Sequence, residues 1–103
     1  MIYVDSIRHY PAFQLPYKYW CHLATDSDLE ELHAFAAQLG LKRSWFQPGH
    51  SGQFPHYDLT PSKRRLAVRS GAVPVNPFEL IRLCYPHVWQ RITASSERRM
   101  AHG

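Results

Sequence analysis

His56, Tyr57 and Asp58 place an imidazole, a phenol and a carboxylate side by side in the chain. In an extended segment successive side chains alternate between faces, so His56 and Asp58 point to the same side. An imidazole and a carboxylate on one face can pass a proton or hold a divalent cation, and Asp5 and His22 add the same two donor types. Hydrogen bonding within the fold is the competing use of these groups. No metal-ligand spacing is fixed by the sequence, so the four stand as candidate catalytic acid/base residues, with no metal and no cofactor assigned.

Downstream, Lys63, Arg64 and Arg65 crowd the first turn of a predicted helix. The positive end of the helix dipole disfavours each cation by a few tenths to about 1 kcal/mol, so an anion should offset them. Asp58 is one candidate; a phosphate held by the free amides of the helix terminus is the other. Lys63 shares a face with Leu66, Ala67 and Ser70, which lays its stem over the sheet and lets its ammonium reach toward Asp58. Tyr57 and His50 complete the candidate ligand-binding set of Lys63, Arg64 and Arg65. Tyr10, Phe13, Tyr17, Tyr19 and Trp20 could stack on a base or cover a small core.

The elements that must position these residues follow from local signals. Ile2-Tyr3-Val4 reads as a buried strand with Asp5 at its carboxyl end. From Ile7 to Cys21, Pro11, Pro16 and many aromatics suggest a long loop laid over the core. Ser27 with Glu30 forms a capping box for a first helix that Gly40 stops. Leu41 to Phe46 is a candidate second strand, Gln47 to Gln53 a turn-forming loop, and His56 to Leu59 a third extended piece. Thr60, Pro61 and Gly71 bracket a second helix, and Ala72 to Val75 is a fourth strand that Pro74 assigns to an edge or bulge. Asn76, Pro77 and Glu79 start a third helix, and Pro86 restarts a last one.

This alternation predicts an α/β fold: a small, mostly parallel sheet of about four strands with three to four packed helices. Residues 1–94 form a single domain on this reading, with 95–103 as a flexible tail. Ligands of such sheets sit outside the carboxyl ends of the strands, which gathers Asp5, the Gln47 to His56 loop, Asp58 and the second helix start on one edge.

Composition agrees with one folded domain: 103 residues, 45% hydrophobic and 14% aromatic. Lys and Arg outnumber Asp and Glu by 12 to 8, and the resulting +4 charge favours a nucleotide or nucleic-acid partner. No apolar run approaches the roughly 20 residues of a membrane span, so no membrane partner is expected. Cys21 and Cys84 lack metal-type pairing and read as free thiols, in keeping with a cytoplasmic setting. The phosphate-loop, dinucleotide, nucleophile-elbow and paired-cysteine motifs do not occur.

Tyr3-Val4-Asp5, Trp20-x-His22-Leu23, Glu31-Leu32-His33-x-Phe35-Ala36, Leu39-Gly40, His56-Tyr57-Asp58 and Arg65-x-Ala67-x-x-x-Gly71-Ala72 together resemble an uncharacterised family. It is the domain-of-unknown-function family 4031, small proteins of bacteria and their phages. The resemblance implies no activity. From the residues, the leading expectation is binding of a phosphate-bearing ligand, a nucleotide or nucleic-acid end, at the carboxyl edge of the sheet; a phage accessory protein that sequesters a nucleotide is one version. A metal-dependent phosphoesterase or nuclease is the alternative, and a protein-interaction module the third.

Overall fold

The computed structural model describes residues 1–11 and 17–102, with side chains as far as Ser95. Phe13, among the candidate stacking aromatics, lies outside the described residues. Among the described residues five strands, β1 (Ile2–Val4), β2 (Arg8–His9), β3 (Tyr19–Thr25), β4 (Tyr57–Leu59) and β5 (Val73–Pro74), combine with four helices, α1 (Leu29–Gln38), α2 (Pro61–Arg69), α3 (Pro77–Cys84) and α4 (Pro86–His102). The segment expected as a tail begins inside α4.

Helix boundaries follow the capping chemistry. Thr60 and Asn76 accept hydrogen bonds from the amides of Lys63 and Glu79, and Pro61 and Pro77 open their helices where no backbone donor is needed. At α1 the cap is Asp28, which accepts from the Glu31 amide at 2.9 Å. Ser27, the expected cap, instead sends its amide to the Thr25 hydroxyl. Gly40, at φ +82°, adopts the left-handed conformation that ends the helix.

The sheet differs from the parallel one expected. It is mixed and mostly antiparallel, because Tyr19–Thr25, whose first three residues fall in the loop expected from Ile7 to Cys21, is its longest strand. β3 runs antiparallel to β1 and β2 on one side and to β4 on the other, while β5 lies parallel to β1 at the edge. The strands seen in sequence, β1, β4 and β5, do share one direction; β3 threads between two of them in the opposite sense. The candidate strand from Leu41 to Phe46 is a short 3-10 turn at Arg43–Trp45, followed by a single bridge between Gln47 and His56.

Alternation along the strands divides the core in two. Val4, Cys21, Leu23, Tyr57 and Leu59 face α1 and α2, packing on Leu32, Ala36, Leu39 and Ala67. Tyr3 and Ala24 face the other way, against Leu80 and Tyr85 of the α3 region. Tyr57 is buried, its hydroxyl 2.7 Å from His33 Nδ1. Tyr57→Phe should therefore cost about 1 kcal/mol in urea unfolding, the usual net worth of one such bond, with the ligand behaviour described below unchanged.

Candidate functional site

In the β1–β3 ladder Asp5 lies opposite His22, continuing the register that pairs Tyr3 with Ala24 and Val4 with Leu23. A hydrogen-bonded antiparallel pair normally exchanges two backbone bonds. Here the Asp5 amide donates to the His22 carbonyl at 3.2 Å, but the returning His22 amide donates to the Asp5 carboxylate, Oδ1, at 2.6 Å. The carboxylate thus stands in for its own residue's carbonyl. That carbonyl is left to accept from Arg64 Nε at 2.8 Å. Beyond this point the register slips by one residue, so that Arg8 pairs with Trp20 and His9 with Tyr19.

The second carboxylate oxygen, Oδ2, accepts from His22 Nδ1 at 2.8 Å. A carboxylate only accepts, so Nδ1 carries the proton and Nε2 presents its lone pair. Because the His22 backbone groups point toward β1, its pairing with Asp58 on β4 is of the non-hydrogen-bonded kind, in which the two side chains stand closer. His56, two residues before Asp58, shares its face, as strand alternation predicts. Its Nδ1 donates to the Phe54 carbonyl at 2.5 Å, which leaves Nε2 as the nitrogen that faces Asp58.

Both imidazoles consequently aim Nε2 at Asp58 Oδ1, His56 from 3.4 Å and His22 from 4.0 Å. The three ligand atoms lie within 4.8 Å of one another. Gln47 Nε2 holds the other Asp58 oxygen at 2.5 Å. Tetrahedral ligands of a zinc-sized cation stand roughly 3.3–3.6 Å apart, so the His56–Asp58 edge already has the right span and His22 must close in slightly. Asp5, buried to 2% exposure, is the partner that fixes the His22 ring, in the manner of a carboxylate–histidine–metal relay.

A cavity of about 520 Å³ opens beside the cluster, with Asp5, His22 and His56 on one wall and Phe78 and Ile81 of α3 on another. Arg8 and His50 also line it. Gly49 brings the loop against Phe54: its φ is +75°, and an added Cβ would lie 2.6 Å from the Phe54 Cβ.

The structure brings Asp5, His22, His56 and Asp58 together, and disperses the cations. Lys63 does not reach Asp58; Nζ donates to the Leu39 carbonyl at 2.5 Å, at the carboxyl end of α1, where a cation is favoured. Arg64 is committed to Asp5, and Arg65 is exposed. Tyr57 is enclosed in the core. His50 alone of the candidate ligand-binding residues lines the cavity shared with the two histidines. Gln47 and Arg8 were not singled out from sequence, and neither carries a local motif; only strand pairing places them.

A small α/β domain with two imidazoles and a carboxylate converging at a cavity beside its sheet is the class these features define. The family profile described as protein of unknown function, DUF4031, matches residues 2–86, and the chain belongs to that family. No curated protein and no solved structure matches it. Among the described residues no helix is long and apolar enough to cross a membrane.

Burial alone would strip the proton from His56, but the bond to Asp58, the Phe54 carbonyl and the Asp58 charge outweigh it and raise its pKa above 6.5. For Asp58, burial favours the neutral acid, and the bond and charge of His56 with the Gln47 amide outweigh it, lowering its pKa below 3.8. The His56 contribution to stability is complete below pH 6.5 and lost as pH rises through its raised folded value; that of Asp58 is complete above pH 3.8 and lost as pH falls through its lowered one. Metal-free protein should therefore melt highest between these limits. Calorimetry should show Tm falling on the alkaline side, with His56→Gln flattening that fall.

Proposed function

We propose that this chain is a metal-dependent phosphoesterase whose cation is held by His22 Nε2, His56 Nε2 and Asp58 Oδ1. The observation that carries the reading is that both imidazoles are locked through Nδ1, one by Asp5 and one by the Phe54 carbonyl, so that both Nε2 atoms converge with a carboxylate that a cation could share. Two imidazoles and one carboxylate suit Zn²⁺, Mn²⁺ or Fe²⁺ better than Mg²⁺, which prefers oxygen ligands. Three protein ligands leave a position for water, the pattern of a catalytic rather than a purely structural site.

A bound cation would acidify that water and polarise a phosphoryl oxygen. The chain's own groups divide the remaining work. Asp5 orients His22, Gln47 orients Asp58, and Arg8 at the cavity wall offers a guanidinium to an anionic substrate. His50 on the same cavity would take a proton from the attacking water and, as the water oxygen bonds to phosphorus and the ester P–O bond breaks, return it to the departing alkoxide. Phosphate-ligand binding without turnover draws less support, since Lys63 and Arg64, two of the three cations it relies on, donate to backbone carbonyls.

Protein stripped with a chelator should gain Tm on adding Zn²⁺ or Mn²⁺, with little gain from Mg²⁺, and should cleave a simple phosphodiester only when loaded. Asp58→Asn should abolish the gain. Asp5→Asn is the more diagnostic variant: the His22 amide demands the Asn oxygen, which turns the Asn amino group toward Nδ1 and forces the proton onto Nε2. Calorimetric titration should then show metal affinity reduced roughly 10- to 100-fold with the fold intact. A wild-type protein that takes up none of these cations ends the reading.

A further inference from the structure

A second cavity, of about 770 Å³, has Asp58 in its wall, while His22 and His56 of the same cluster line the first. Its lining is aromatic. Tyr17 and Trp45 remain 61% and 51% exposed, an unusual amount of ring surface to leave in water, and Trp20 of β3 lines the same cavity. The wall is held in place: the Trp20 indole N–H donates to the Tyr17 carbonyl at 3.0 Å, and the two rings meet edge to face with centroids 6.3 Å apart.

Cations accompany the rings. Lys42 Nζ lies 5.6 Å from the centre of the Trp45 ring, and Ser62 and Lys63, whose ammonium donates to the Leu39 carbonyl, line the groove at the amino end of α2. Among the described lining residues, Asp58 is the one carboxylate, and it belongs to the metal cluster. Exposed rings for stacking beside ammonium groups are what a single nucleic-acid strand requires, since every base has a face to stack and every linkage a charge to neutralise. A duplex keeps its base faces inside, and an apolar peptide has no use for the cations.

We propose that this groove binds single-stranded nucleic acid, with bases stacked on Trp45 and Tyr17, phosphates near Lys42, and the strand led toward Asp58. The substrate role rests on the phosphoesterase reading; strand binding does not, and its test needs no metal. A labelled oligothymidylate of roughly 12 nucleotides, within the range of a single-groove site, should raise fluorescence anisotropy on titration with the full chain at low salt in chelator. Trp45→Ala should weaken binding roughly 5- to 100-fold, Trp45→Phe much less, and both should keep the wild-type metal-induced Tm gain. A duplex of the same length should bind more weakly than the single strand. The proposal is overturned by no binding at low salt, by equal binding of duplex and single strand, or by Trp45→Ala binding as wild type. It is equally overturned if light scattering shows that Trp45→Ala abolishes self-association while strand binding persists. Loss of metal response with strand binding retained would sink the phosphoesterase reading and leave the groove standing.

Discussion

Asp5 spends its carboxylate on a backbone position, and the arrangement around it follows. Burying an acidic side chain is costly unless its oxygens are bonded, and here one oxygen accepts from the His22 amide and the other from the His22 ring. Because the first of these bonds replaces a ladder bond, the Asp5 carbonyl is released to Arg64, which ties α2 to the end of β1. The same substitution coincides with the one-residue slip that carries the chain into β2. One side chain therefore sets a ring tautomer, docks a helix and bends a strand pair.

The direction of β3 does the rest. A strand antiparallel to both neighbours sets His22 between residues from β1 and β4, with Asp5 on one flank and Asp58 on the other. These carboxylates are far apart in sequence, and neither belongs to a motif with the other. They are neighbours because β1 and β4 run the same way and leave room for one reversed strand between them. The loop after the 3-10 turn completes the site from the edge: the Gln47 to His56 bridge extends β4 by one pair and brings the Gln47 amide onto Asp58.

Local chemistry was readable wherever a residue acts on its own backbone. Thr60 with Pro61 and Asn76 with Pro77 mark α2 and α3 because caps are short-range, and Gly40 marks the end of α1 for the same reason. The shared face of His56 and Asp58 followed from strand alternation alone. What sequence could not give was pairing. Tyr19 to Cys21 sit after Pro16 among aromatics and read as covering loop, though the alternation of Cys21 and Leu23 is a strand signal. Once β3 was missing, the sheet had to be taken as parallel. Lys63 was placed on the correct helix face, but that face meets the end of α1, so its ammonium finds Leu39 and not Asp58.

The convergent cluster must still be weighed against a purely structural role. Asp58 is satisfied by Gln47 and His56, and His56 by Phe54 and Asp58, so hydrogen bonding accounts for that pair without any ligand. It does not account for His22. Its ring is fixed through Nδ1 by a buried carboxylate, yet Nε2 stands 4.0 Å from Asp58, beyond hydrogen-bond reach. The His22 side chain is about one-third exposed and lines the cavity, so Nε2 stands open there beside Asp58, with the centroids of the two imidazoles 5.0 Å apart. Hydrogen bonding within the cluster leaves that nitrogen unused, and a cation placed between His22, His56 and Asp58 would take its lone pair.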